Sequence, residues 1–256
     1  MNLYIHESGP AGAPVIVFLH GAGLSGRMWQ PQLEQLTEFH CLAPDLPEQG
    51  QSAGYGPFTL QGAAREVADL IRKSSPSGKA HLVGLSHGGV VAQAVMHSFP
   101  EVVDHALLSG TSARLAKALV AVQALNMPVL RMLSQDQLAR LMMAQFHIPE
   151  QYRGVLGEDM KRFTATAFDH VNHSYLEIET PVHFERPVLV VVGEKETFVA
   201  RDMARKLARE IPGARGYVAP KVGHVWNLEA PGLFTDTLRA WVCDQPLPAA
   251  LVAMKK

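Results

Sequence analysis

Little in this chain suits charge-driven, redox or membrane-spanning work. Its 23 Lys and Arg are balanced by 24 Asp and Glu, for a net charge of −1, so no global basic field is available to hold nucleic acid or an anionic lipid surface. Aromatic residues make up only 7% and do not alternate with basic ones, as a platform for single-stranded nucleic acid would require. The two cysteines, Cys41 and Cys243, belong to no C-x-x-C, and Cys41 in the apolar stretch FHCLAP reads as a buried, reduced thiol. No apolar run approaches the roughly 20 residues that span a bilayer. The N-terminal MNLYIHES has no basic segment ahead of an apolar core, so no signal peptide is expected and a soluble cytoplasmic protein is the simplest expectation. Repeats and low-complexity tracts are absent too.

What is present is an ordinary globular balance, 47% hydrophobic and 18% charged over 256 residues, enough for one large α/β domain or one domain with an insertion. Residues 2–7 suit a short edge strand. Val15–Leu19 is a continuous apolar run of the kind that is covered on both faces, and it ends in the glycine-rich His20-Gly21-Ala22-Gly23. A helix is predicted from Arg27 to Thr37, then a strand from Phe39 to Ala43. Thr59 caps a helix whose apolar stripe runs through Leu60, Ala63, Ala64, Val67, Leu70 and Ile71. Strands before Ser86 and over Val102–Leu108 continue an alternation that predicts a mostly parallel sheet with helices on both faces. From Ser112 to Arg186 the alternation stops and only helix-like segments appear, at 113–125, 135–146 and 150–176. It resumes with a buried strand at 187–193, a helix near 200–211, a strand at 214–219 and a helix near 231–243. The expected organisation is therefore a core of residues 1–111 and 187–256 with a helical lid, 112–186, inserted between two strands. The tail after Cys243 shows no obvious partner and is expected to be loosely held.

Residues 79–99, KAHLVGLSHGGVVAQAVMHSF, carry the clearest chemical signal. An apolar strand runs into Gly84-Leu85-Ser86-His87-Gly88, and a helix follows at once, the G-x-S-x-G pattern of a nucleophile elbow. A serine at such an apex is forced into a strained conformation that projects its hydroxyl beyond the sheet. Glycines at 84 and 88 let strand and helix pass closely. The start of the helix points free N–H groups at the same spot. A serine hydroxyl needs a base and the base an orienting acid, and on a parallel sheet of this kind the chain order is Ser, acid, His. After the lid comes Val192-Gly193-Glu194-Lys195-Glu196 at a strand end, and then Gly223-His224 in the loop after the last strand. All of these stretches end at the carboxyl side of the sheet, where ligand-binding loops gather.

With HGAG at 20–23, DLPEQGQS at 45–52, GLSHGG at 84–89, VVGEKE at 191–196 and GHVWNLEAP at 223–231, all in order, the chain resembles the α/β-hydrolase superfamily over residues 10–243. The resemblance implies Ser86 as nucleophile, His224 as general base and the backbone N–H groups of Ala22 and His87 as the oxyanion hole. Such donors are worth roughly 3–4 kcal/mol each. The acid position, usually aspartate, offers Glu196, 28 residues before His224, with Glu194 as rival and Asp202 further along. The loop usually written D-x-P-G-x-G-x-S loses one glycine in DLPEQGQS, where Asp45 is expected to fix the loop. His20 is expected to make structural hydrogen bonds, and Ser25 and Ser52 to be loop hydroxyls.

Substrate choice is expected to lie in the lid, whose Met127, Leu130, Met132, Leu133, Leu138, Leu141, Met142, Met143 and Phe146 suggest an apolar, tolerant pocket. No Arg/Lys cluster there points to a phosphorylated or CoA-bearing substrate, although Arg131, Arg140 and Arg153 leave that open. His170 and His173 have helical i,i+3 spacing but lack an accompanying carboxylate–histidine motif, and no metal and no cofactor are expected. The expected activity is hydrolysis of carboxylic esters of small to medium apolar acids or alcohols, falling at acid pH as the catalytic imidazole protonates. The same triad also serves thioesters, lactones, amides and carbon–carbon bonds, and a perhydrolase side activity or a lidded small-molecule receptor is a further alternative. A dehalogenase is disfavoured, since its elbow would carry Asp in place of Ser86.

Overall fold

Alternation along the strands sorts the apolar side chains into two layers. In the computed structural model, which describes residues 3–113 and 132–254, every residue of β2 (Val15–Leu19) is buried. Val15, Val17 and Leu19 face one core, and Ile16 and Phe18 the other. β3 (His40–Pro44), β4 (Ala80–Leu85), β5 (Val103–Ser109) and β6 (Val188–Gly193) repeat the pattern, and β7 (Arg215–Ala219) completes the parallel set. β1 (Ile5–Ser8) and β8 (Val252–Ala253) flank it in an eight-stranded sheet of order β1-β3-β2-β4-β5-β6-β7-β8, both pairing antiparallel.

Helix α1 (Gln30–Gln35) lies on the Ile16 face with Trp29, Leu33 and Leu36. The predicted helix from Arg27 to Thr37 is shorter than expected: a 3-10 turn, Gly26–Trp29, precedes it, and Pro31 enters its first turn, where a missing N–H costs nothing. α2 (Leu60–Ser74) is capped by the Thr59 hydroxyl, which accepts from Gly62 N–H, and covers the Val15 face together with α3 (His87–Ser98).

Between β5 and β6 the described chain holds α4 (Gln135–Gln145), α5 (Glu150–Lys161) and α6 (Ala165–Ser174). The single helix expected over 150–176 is broken, because Thr164 turns out of helical geometry and caps Ala167 N–H. The segment expected at 113–125 lies, after Ala113, outside the described residues. α7 (Phe198–Glu210) buries Ala204 and Leu207 on the Val15 face. The short α8 (Trp226–Glu229), absent from the sequence expectation, and α9 (Pro231–Val242) close the other face with Trp226, Phe234, Leu238 and Trp241.

The tail is not loose. Leu251 is buried in the α9-side core, residues 252–253 form β8 against Tyr217 and Val218, and Met254 N–H donates to Gly216 O at 2.9 Å. Among the described residues, no helix is long and apolar enough to cross a membrane.

Candidate active site

From Ala80 to Met96 every residue is buried except one, Ser86. Its backbone sits at φ 55° and ψ −118°, in a region that costs roughly 1–3 kcal/mol and persists only where the surroundings impose it. The surroundings do so by close approach. A Cβ on Gly84 would lie 2.5 Å from Gly88 O, and one on Gly88 would lie 2.0 Å from Leu19 O, so any larger residue pushes helix, strand and neighbouring strand apart. Ser86 N–H is tied to Ser109 O at 2.8 Å. Although Ser86 occupies the N-cap of α3, its hydroxyl makes no capping bond.

Ser86 opens onto a cavity of about 460 Å³, within the range of small-molecule sites. Glu196 and His224 line the same cavity, as do Gly21 and Ala22 from the loop after β2. His224 Nδ1 lies 2.9 Å from Glu196 Oε2, with the Glu196 side chain 6% exposed. Glu194 takes a different part: its Oε2 accepts Lys221 N–H at 2.7 Å, fastening the loop after β6 to the one after β7. Asp202 lies on α7. His224 Nε2 is buried and has no hydrogen-bond partner among the described residues, so serine and imidazole share the cavity without a closed hydrogen bond. Such bonds often tighten only when substrate arrives. Among the described residues, no backbone acceptor takes the N–H of Ala22 or His87.

A buried hydrogen-bond frame holds the loop that carries Ala22. His20 Nδ1 donates to Gly21 O at 2.8 Å and its Nε2 accepts Leu46 N–H at 2.9 Å, which requires the neutral ring. Burial lowers its pKa against the opposing pull of Asp45. Gly23 N–H donates to Gln49 Oε1 at 2.8 Å. Asp45 accepts from Gly26 N–H and Gln51 N–H, both at 2.7 Å, and lies 3.0 Å from His6 Nε2. Burial pushes its carboxyl up, but these partners and the nearby His20 outweigh that and leave its pKa below the usual range. Ser25 donates to the buried Asp159 of α5, and Ser52 accepts Tyr4 N–H, so both hydroxyls are structural. The missing glycine is explained as well. Glu48, which stands in its place, keeps the left-handed backbone at φ 63°, and its side chain takes Phe58 N–H at 2.9 Å and lies 2.7 Å from His170 Nδ1 on α6. His170 thereby joins the loop to the helices above the site.

The His87 ring does not reach the cavity. It is fully buried, its Nε2 lies 3.2 Å from the Ser174 hydroxyl, and that hydroxyl donates to Val171 O, so Nε2 is the protonated nitrogen. Burial, and secondarily His20, push its pKa down to about 3. Cys41 is buried as expected, and burial raises its thiol to about 12.

Met142, Phe146, Phe168 and Val171 make the cavity wall apolar. Phe146 stacks on His224 with ring centroids 5.1 Å apart and planes at 24°. Leu138 and Met143 pack on the core beneath, while Met132 and Leu141 are exposed; Met127, Leu130 and Arg131 lie outside the described residues. Among the described residues, no Lys or Arg lines the cavity; Arg140 and Arg153 bond to backbone carbonyls elsewhere. The sequence reading missed Tyr175, just past α6, whose phenol approaches Ser86. Burial pushes that phenol up to about 12 while the Ser86 hydroxyl pulls the other way. Nothing in the sequence marks it, since an aromatic at a helix end looks like any core residue. It also missed Gly110, at φ 52°, where a Cβ would stand 3.0 Å from both Glu196 Oε1 and His224 Nδ1.

Known proteins resemble this chain along nearly its whole length. An AB hydrolase superfamily protein of Gibberella zeae is 28% identical over 95% of this chain and 85% of its own. A pimeloyl-[acyl-carrier protein] methyl ester esterase of Pectobacterium atrosepticum is 27% identical over 93% of this chain and 98% of its own. The solved structure of a thermophilic esterase from Thermogutta terrifontis superposes with a TM-score of 0.79 at 24% identity, covering 94% of this chain and 93% of the other. Since the model of the alpha/beta hydrolase family matches residues 16–237, elbow and cavity included, the chain belongs to that family.

Proposed function

We propose that this protein is a serine hydrolase of carboxylic esters with small to medium apolar groups, working through Ser86, His224 and Glu196. The observation that carries the reading is one strained, partly exposed serine sharing a cavity with a histidine held at 2.9 Å by a buried carboxylate. His224 Nε2 takes the Ser86 proton as Oγ attacks the carbonyl carbon, and Glu196 holds the ring and stabilises its charged form. The N–H groups of Ala22 and His87 receive the developing oxyanion. His224 returns the proton to the leaving alcohol, and a water activated by the same imidazole then hydrolyses the acyl-enzyme. No cofactor takes part. The Tyr175 phenol, held near 12, stays neutral and serves as a hydrogen-bond partner of Ser86 and not as a base.

Residues 112–186 act as the lid, with α4 and α6 supplying the apolar wall. A volume near 460 Å³ lined by Met142, Phe146, Phe168 and Val171, with no Lys or Arg among its described lining residues, favours an uncharged acyl or alcohol group. An esterase among the full-length relatives points the same way. The test is a panel of p-nitrophenyl esters of increasing acyl length, run beside thioesters, lactones and amides, with mass detection of an acyl adduct on Ser86. Turnover should fall by about a millionfold in Ser86→Ala. Ester turnover undiminished in that variant overturns the reading, and a strong preference for another bond in the panel reassigns the substrate class.

A further inference from the structure

At the opposite end of the sheet from Ser86, two buried imidazoles and a carboxylate converge, the two rings edge to face with centroids 5.2 Å apart. His81 is the second residue of β4, and Asp104 and His105 are the second and third of β5. The five residues from His81 to Ser86 put this cluster about 16 Å from the elbow, at about 3.3 Å per residue. The register explains the convergence. Ala80 pairs with Val103 and Leu82 with Ala106, so the single residue His81 is opposed by both Asp104 and His105 across a β-bulge. Bulges are rare in parallel pairs and re-aim side chains.

His81 and His105 are 8% and 7% exposed, and the Nδ1 of each is buried without a hydrogen-bond partner. Asp104 Oδ2 lies 3.8 Å from His81 Nδ1 and 3.5 Å from His105 Nδ1, too far for hydrogen bonds, and all three atoms fall within 4.8 Å of one another. A tetrahedral zinc with bonds of about 2.0–2.1 Å needs its ligands about 3.3 Å apart, so small side-chain rotations would close the set. On the far side of the ring, His105 Nε2 lies 3.3 Å from Asp244 Oδ1. A carboxylate on one nitrogen leaves the other as the lone-pair donor, the arrangement that orients metal-bound histidines. Asp244 holds this position although it is a non-glycine residue at φ 52° and an anion just past the C-terminus of α9, where the helix dipole disfavours negative charge. Asp104 is 40% exposed and gives a path from solvent.

We propose that His81, Asp104 and His105 form a binding site for a divalent transition metal of the zinc class, oriented by Asp244 and completed by water. It joins β4, β5 and the end of α9, and is a structural clamp distinct from the hydrolytic centre. Imidazole nitrogen suits zinc, nickel and copper, and one hard oxygen does not displace that preference.

Protein stripped with chelator and titrated with zinc chloride in a calorimeter should bind one ion per chain with micromolar or tighter affinity. Zinc at a hundred times its Kd should raise the melting temperature by about 5 °C. His81→Ala with His105→Ala together should abolish both effects, and Asp244→Asn should weaken binding by about tenfold. Cobalt in place of zinc should give the visible bands of tetrahedral coordination in the wild type and not in the double variant. Ester turnover by the metal-free variants, at wild-type level, shows that they fold. If the double variant does not fold, His81→Gln replaces it under the same expectation. No zinc binding by the stripped wild type, or single-site binding that survives in the folded variants, overturns the proposal.

Discussion

His87 offers the sharpest quantitative check of this structure, because its ring is sealed inside the protein one residue from Ser86. Burial lowers its pKa from 6.5 to about 3, so between those values the unfolded chain binds a proton that the native protein refuses. A group whose charged form is disfavoured by folding stabilises the native state least at acid pH, and stability should fall as pH drops below 6.5. At pH 5 the unfolded imidazole is almost fully protonated and the native one is neutral, a difference of about 1.5 pH units at about 1.36 kcal/mol each, or about 2 kcal/mol lost relative to pH 7. The ring is 0% exposed, so solvent screening does not reduce this figure. His87→Gln removes the titration while keeping a donor for the Ser174 hydroxyl. Urea unfolding followed by far-UV circular dichroism at pH 7 and pH 5, at one ionic strength, should show the wild type losing about 2 kcal/mol more than the variant. With a slope near 3 kcal/mol/M, that is about 0.7 M in midpoint. Equal losses in the two proteins would refute the argument, since His20 and every carboxylate are common to both.

Three further outcomes are expected. Glu196→Gln should cut kcat by about ten-thousandfold, as loss of the acid leaves the imidazole in the wrong tautomer, while Glu194→Gln stays within a few-fold of wild type; the reverse pattern in steady-state assays transfers the acid role to Glu194. Gly110→Ala places a methyl 3.0 Å from Glu196 Oε1 and His224 Nδ1 and should lower kcat by about a hundredfold, with the left-handed backbone costing the alanine about 1–2 kcal/mol and a few degrees of melting temperature, so an unaffected kcat would show that the pair tolerates displacement. Leu251→Ala should cost about 2 kcal/mol, or about 5 °C in thermal melts, with ester turnover at saturating substrate unchanged.

How far the sequence speaks depends on whether a feature is local. Val15–Leu19 declares a buried strand because five successive apolar residues have no other low-energy use, and Thr59 declares a helix start because its hydroxyl serves an N–H three residues on. The meeting of Ser86, Glu196 and His224 in one cavity was legible for a related reason: each lies in the turn or loop that follows a strand, and the order of strands fixes which ends meet. The break at Thr164 carried its own capping signal, but the apolar periodicity on either side masked it. Long-range partners left no such trace. Tyr175 reaches Ser86 across 89 positions of sequence, and the convergence of His81 with Asp104 and His105 depends on a register slip that only the paired strands reveal. The tail gave no signal because two paired residues and one buried leucine are too short a pattern to stand out.

That tail has a consequence for how molecules meet. A parallel sheet that ended at β7 would present a row of unpaired peptide groups, a template on which a second chain could add a strand. Residues 252–253 occupy that row and leave in its place an edge only two residues long. At the other margin β1 does the same with four residues laid antiparallel on β3. The long, flat strands best suited to intermolecular pairing are therefore all interior, and each margin is a short strand running against its neighbour. Removal of the β8 residues would uncover β7 and turn a protected margin into a nucleus for aggregation.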